Sequence, residues 1–105
     1  MASDPIDDDD PAFAVTVYSI MDRYRTGVVE HRTACRALWA ITLALAPENL
    51  FDDRHEDLLG AFFGDRLDAY RSGVDADLVR RDVVHVILAA AEADWPTLAR
   101  YGLGR

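Results

Sequence analysis

Acidic residues precede histidines at helical spacing in two places. Asp52 lies three positions before His55, and Asp82 lies three positions before His85, while Glu30 marks a third helix. Acid-x-x-His pairs and further carboxylates on facing helices are the ligand pattern of di-metal helical bundles. A short turn before the Asp52 helix places Glu30 about 16 Å along the axis from His55, at 1.5 Å per residue. We therefore predict no metal site here, and interpret the histidines as surface or boundary residues.

His31 and Cys35 lie four positions apart, on one face of a predicted helix. That spacing suits a thiolate–imidazole pair or half of a zinc site. No further ligands follow at a recognisable spacing, and Cys35 shares an apolar stripe with Leu38, which is typical of a small core residue. We find no catalytic motif and predict a protein that is not an enzyme and has no cofactor. A metal- or ligand-binding protein that uses these two residues or His55 or His85 remains an alternative.

Arg66 is the charged residue most deeply set in an apolar helix face, because Phe62 and Tyr70 lie beside it at 100° per residue. One interpretation is that its stem packs while the guanidinium reaches water or stacks on Tyr70. The other is a buried ion pair with a carboxylate such as Glu30 or Asp22, or with an acid of a partner, since an unpaired buried guanidinium costs several kcal/mol.

Hydrophobic spacing and breaker residues predict an all-α fold in a single domain spanning residues 11–105. The predicted helices cover residues 11–25, 28–46, 50–72 and 76–93, followed by a short fifth helix. Asp10 and Asp75 are predicted to cap the N-termini of the first and fourth helices, and Gly27 and Gly73 are predicted to end the first and third helices. Alternatively, the first two helices form one continuous helix that passes through residues 26–27. We find no internal repeat, and short connections favour an antiparallel four-helix bundle.

Two of these helices carry more apolar surface than one small core needs. In each of these helices, a second apolar stripe lies on a different face from the first. We predict that a partner buries this second surface, because its residues have the composition of an interface hot spot. Trp39 could equally pack inside the bundle. The predicted homodimer interface consists of Arg32, Arg36, Trp39, Leu43, Val84 and Leu88.

The net charge of −8 is concentrated at one end of the sequence. Residues 1–10 contain five of the 19 acidic residues, which leaves 14 acidic residues against 11 arginines in the remainder. We predict that residues 1–10 form a disordered acidic tail. The nearly balanced remainder predicts no nucleic-acid binding and no attachment to an anionic membrane. An acidic inhibitor that imitates nucleic acid is a further alternative function.

The sequence also predicts a cellular setting. A single cysteine fits a reducing compartment, and neither a secretory leader nor an apolar run of membrane-spanning length is present, so we expect a cytoplasmic protein. All basic residues are arginine, and lysine and glutamine are absent. This bias is typical of a GC-rich, bacterial genome.

Residues 94–102, Asp-Trp-Pro-Thr-Leu-Ala-Arg-Tyr-Gly, resemble the tail of small helical subunits of extradiol ring-cleaving dioxygenases. The resemblance covers about a tenth of the chain and implies a helical subunit without metal ligands of its own. The upstream sequence departs from that pattern, so we assign no family. We predict a non-enzymatic, self-associating helical interaction module, regulatory or accessory to a larger protein, with a possible second protein partner.

Overall fold

A computed structural model describes residues 11–104, and these residues form five helices and no strand. The predicted tail, its N-cap Asp10 and Arg105 lie outside the described residues. The all-helical fold is confirmed. The helices are α1 (Ala14–Arg25), α2 (His31–Leu45), α3 (Asp53–Ser72), α4 (Ala76–Ala91) and α5 (Trp95–Arg100).

The ends of the helices follow from local chemistry at a few positions. Gly27 and Gly73 adopt left-handed backbone angles, with φ of 82° and 81°, which glycine reaches without a Cβ clash. The turn at Gly27 separates α1 from α2, so the alternative of one continuous helix is wrong. Asp52 caps α3, because its carboxylate accepts the backbone N–H of His55 at 3.1 Å. Asp75 occupies the N-cap of α4 as predicted, but its side chain makes no capping hydrogen bond because its own backbone is left-handed.

The helices pack around one core, and they differ in how many other helices they contact. α4 contacts all four other helices, and α2 contacts α1, α3 and α4. A helix with so many neighbours buries side chains on more than one face. The largest fully buried side chains come from every helix and the C-terminal segment: Val17, Met21, Leu38, Leu59, Phe63, Leu67, Tyr70, Val83, Val86, Ile87, Leu98 and Leu103.

α1 and α3 end with similar sequences, which corrects the prediction that the chain has no internal repeat. Residues 22–28 read Asp-Arg-Tyr-Arg-Thr-Gly-Val and residues 68–74 read Asp-Ala-Tyr-Arg-Ser-Gly-Val. In each segment the glycine N–H donates to the tyrosine carbonyl at 3.1 Å, so the two helices end in the same way. The repeat is only seven residues long and was hidden by the unrelated sequences around it.

The repeated residues contact each other across the bundle. The Tyr24 hydroxyl donates to Asp68 at 2.8 Å, and the Tyr70 hydroxyl donates to Asp22. The arginine after each tyrosine stacks on the other tyrosine, at 5.1 Å (Arg25 on Tyr70) and 5.3 Å (Arg71 on Tyr24) from the ring centroid. These reciprocal contacts, which we call the α1–α3 clasp, hold the C-terminal ends of the two helices together.

Candidate functional site

One face of α2 is apolar and exposed over the second half of the helix. Ala40, Leu43 and Ala44 lie within one arc of about 100° that also contains Arg36, and all four are exposed. Leu43 keeps 50% of its surface accessible. None of residues 37–47 is charged, whereas the outward face of a surface helix is normally polar. We call Ala40, Leu43 and Ala44 the α2 apolar face.

The opposite face of α2 belongs to the core. Ala34, Leu38 and Thr42 are all buried there. Thr42 tolerates burial because its hydroxyl donates to the Leu38 carbonyl at 2.8 Å, so no polar atom is left unpaired. α2 is therefore apolar both towards the core and, in its second half, towards the outside.

The predicted interface residues of α2 fall into two groups. Arg32, Arg36 and Leu43 are exposed, as an interface requires. Trp39 is half-buried and packs on Phe51, with ring centroids 6.0 Å apart. Trp39 therefore borders the α2 apolar face and is partly covered by the chain itself.

The predicted second stripe of α4 lies mostly inside the molecule. Val84 is only 5% exposed and Leu88 is half-buried. The expectation that these residues form an open stripe is wrong for Val84, because neighbouring helices surround α4 on several sides. The second stripe of α4 is therefore largely covered within the chain, whereas that of α2 reaches the surface at Leu43. Leu78 of α4 is also exposed, but it lies outside the predicted stripe.

Charges of opposite sign mark the two ends of α2. Arg32 and Arg36 lie in its first half, and Glu48 follows its last turn. The first turn contains no acidic residue and the last turn contains no basic residue. Because a helix dipole is positive at its N-terminus and negative at its C-terminus, Arg32, Arg36 and Glu48 add to the dipole, whereas the N-cap residue Glu30 offsets it.

His31 and Cys35 meet a carboxylate that the sequence spacing did not reveal. Cys35 Sγ lies 3.8 Å from His31 Nδ1, while His31 Nε2 lies 3.3 Å from the Gly64 carbonyl and 3.6 Å from Asp68. Two acceptors at Nε2 favour a proton on that nitrogen, which leaves Nδ1 free to accept the thiol proton. Burial and the nearby Asp68 charge raise the pKa of Cys35, so the thiol stays protonated.

The two acid-x-x-His pairs have different structural partners. Asp52 and His55 cap α3, and His85 Nδ1 contacts the Tyr101 hydroxyl at 3.1 Å. Across residues 11–104, no group of three or more histidine, cysteine, aspartate or glutamate side chains is placed to hold a metal ion. The histidines therefore bind other parts of the protein: the C-terminal segment in two cases, and α3 in the case of His31.

Arg66 both stacks on an aromatic ring and pairs with a carboxylate, so each interpretation of its position holds in part. Its partners differ from those expected. Its Nε lies 3.5 Å from Asp82 on α4, and its guanidinium stacks over Phe62 at 4.8 Å. The Tyr101 hydroxyl donates to the same carboxylate at 3.3 Å. Burial and Asp82 raise the pKa of Tyr101. The predicted acceptors Glu30 and Asp22 are thus replaced by Asp82, which links α3, α4 and the C-terminal segment.

His55 is the buried histidine that fastens the C-terminal segment. It is 4% exposed, and its Nε2–H donates to the Gly104 carbonyl at 3.1 Å. Its Nδ1 lies 2.9 Å from the Asp52 carboxylate and 3.3 Å from the Asp52 backbone nitrogen, and the ring packs against Trp95 with centroids 5.4 Å apart. Leu103, 2% exposed, is buried beside this contact. The C-terminal segment is therefore part of the fold.

A scan against protein-family models, a search of curated proteins and a search of solved structures each find no match. No helix among residues 11–104 is both apolar enough and long enough to cross a bilayer.

The tyrosine–aspartate pairs of the α1–α3 clasp and the contact of His31 with Asp68 were not predicted from the sequence. A signal for the clasp was present, because Asp-x-Tyr-Arg occurs twice, each time before a glycine. No comparable signal marks the His31–Asp68 contact, which joins residues 37 positions apart on different helices. Neither feature adds an open, reactive group, so the α2 apolar face remains the best candidate functional surface.

Proposed function

We propose that this protein is a non-enzymatic, self-associating helical module, and that the α2 apolar face binds a second copy of the chain. The observation that carries the proposal is the exposure of Leu43 between two exposed alanines, on a helix without a charge from residue 37 to residue 47. Burying a half-exposed leucine in each copy stabilises an assembly, at about 25 cal/mol per Å² of apolar surface.

The small residues of this face support a helix-to-helix contact. Ala40 and Ala44 project little from the helix, so a second helix can approach at the 8–10 Å typical of packed helices. A contact made by one helix pair buries less than the roughly 800 Å² per partner of a standard interface. We therefore expect a reversible dimer that dissociates on dilution, consistent with a regulatory or accessory protein.

The proposal is tested by light scattering after size-exclusion chromatography over a range of concentrations. Leu43→Glu places a charge in the contact of each copy, and we expect it to be monomeric where the wild type dimerises. Leu78→Glu is the matched control, because Leu78 is 58% exposed on α4, outside the contact. A wild type that is monomeric at every concentration contradicts the proposal, as does equal dimerisation of the two variants.

The proposed setting is the cytoplasm of a bacterium. Its support is compositional: one cysteine in 105 residues, which fits a reducing compartment, and arginine as the only basic residue, which fits a GC-rich genome. A second protein partner is proposed on the same basis as the dimer, because an accessory protein presents an apolar surface to the protein it serves. Capture of a partner that requires Leu43 would support this part of the proposal.

A further inference from the structure

We infer that the two copies pair their α2 helices in antiparallel orientation, with Ala40 of each copy packed on Leu43 of the other and Arg36 beside Glu48 of the other. The inference rests on the proposed self-association and adds its geometry. It depends on two features of α2: the order of small and large residues on its exposed face, and the distribution of charge along its length.

The order of residues on the face determines how two helices fit together. Leu43 is the only large exposed residue of the α2 apolar face, and Ala40 lies one turn before it. When the helices cross midway between these positions, each leucine meets an alanine of the other copy. Large residues that face small ones fill the space between two helices, whereas opposed leucines hold the helices apart at that point.

The charges of α2 favour the antiparallel orientation. In the register just described, Arg36 lies about 3 Å, along the axis, beyond the level of Leu45, the last helical residue of α2 in the second copy, and Glu48 follows three residues after Leu45. Both residues are exposed, and neither makes a salt bridge in the single chain among the described residues. Arg36 of each copy also approaches the negative C-terminal end of the other helix. A parallel pair instead places Arg36 beside Arg36 and Glu48 beside Glu48.

Charge reversal tests which residues are opposed. Arg36→Glu and Glu48→Arg each replace two attractive pairs of the dimer by two repulsive pairs, so we expect either variant to dimerise roughly ten-fold more weakly. The double variant Arg36→Glu/Glu48→Arg restores the pairs, and we expect its dissociation constant to return to within about two-fold of the wild type. A double variant as weak as the single variants contradicts the inferred pairing.

A distance between labels tests the orientation independently. Cys35→Ser removes the only cysteine, and Thr33→Cys places a spin label at an exposed position near the start of α2. In the antiparallel dimer, the two copies of residue 33 lie on opposite sides of the crossing, which predicts about 27 Å between the labelled helix positions. A parallel dimer predicts about 10 Å.

The two proposals fail in different ways. A wild type that stays monomeric contradicts the self-association itself. A dimer that Leu43→Glu disrupts, but whose labels lie about 10 Å apart, contradicts only the antiparallel arrangement.

Discussion

The hydroxyl of Tyr24 donates a 2.8 Å hydrogen bond to Asp68, 44 residues further along the chain. Tyr70 makes the equivalent contact with Asp22, so α1 and α3 exchange the same interaction in both directions. Both tyrosines are at most 5% exposed. The clasp therefore joins the ends of two helices that are separated in sequence by the whole of α2.

Removing one hydroxyl from the clasp should weaken the fold. These hydrogen bonds are partly buried and their carboxylates are exposed, so we expect Tyr70→Phe and Tyr24→Phe each to lower the free energy of unfolding by about 0.5–1.5 kcal/mol. Urea denaturation followed by circular dichroism measures the change. If both variants unfold at the wild-type midpoint, the clasp does not stabilise the protein.

Arg66→Ala should cost more stability than Arg71→Ala. Arg66 pairs with the half-buried Asp82 and packs on Phe62, and its removal leaves that carboxylate with only the Tyr101 hydroxyl. The Arg66–Asp82 pair is a partly exposed contact without a hydrogen bond at Nε, so we expect a loss of about 1–2 kcal/mol for Arg66→Ala, and less than about 1 kcal/mol for the exposed Arg71→Ala. Thermal melting of the two variants provides the comparison, and equal melting temperatures would count against the role of Arg66.

His55→Ala should release the C-terminal segment before the rest of the protein unfolds. The substitution removes the donor to Gly104 and opens a space beside Trp95, and we expect a loss of about 2–3 kcal/mol. Amide hydrogen exchange should quicken at residues 101–104 more than in α1. Asp57→Ala is the control, because Asp57 is exposed on the same helix and lies away from the C-terminal segment. Equal exchange at residues 101–104 in the two variants would show that His55 does not fasten the segment.

Asp94 should make stability depend on acid pH. Hydrogen bonds from the Thr97 hydroxyl (2.7 Å) and backbone N–H (3.2 Å) lower the pKa of Asp94 in the folded state. A carboxyl with a lower pKa when folded adds stability that is complete above its unfolded pKa of about 3.9 and is lost as pH falls through the folded pKa.

Asp94→Asn keeps an N-cap acceptor but removes this titration. The urea midpoint of the variant should therefore fall less than that of the wild type between pH 5 and pH 2. Asp57→Asn, at an exposed position of α3, is the control. An unchanged pH profile in Asp94→Asn would contradict the role assigned to the Thr97 hydrogen bonds.

The helices themselves were predictable from local sequence because apolar spacing and glycine are local signals. Gly27 and Gly73 mark helix ends through their own backbone angles, and Asp52 caps α3 through a residue three positions away. Longer-range contacts were not predictable in this way. The choice of Asp82 as the partner of Arg66 depends on how α3 and α4 lie against each other, which no spacing within α3 encodes.

The candidate surface was predicted in part. The exposure of Leu43 follows from the apolar pattern of α2, which is continued on a face away from the core. The same reasoning failed for Val84, because it assumed that each helix buries a single stripe. α4 contacts every other helix, so Val84 is covered by neighbouring helices and Leu88 is partly covered.

The most direct test of self-association is a dilution series of amide NMR spectra of the ¹⁵N-labelled wild-type protein. We predict concentration-dependent shifts that centre on Ala40, Leu43 and Ala44 and extend to Arg36 and Glu48, with α4 signals around Leu78 unchanged. Spectra that do not change with concentration, or that change only away from α2, would contradict the assignment of this face as the site where two copies meet.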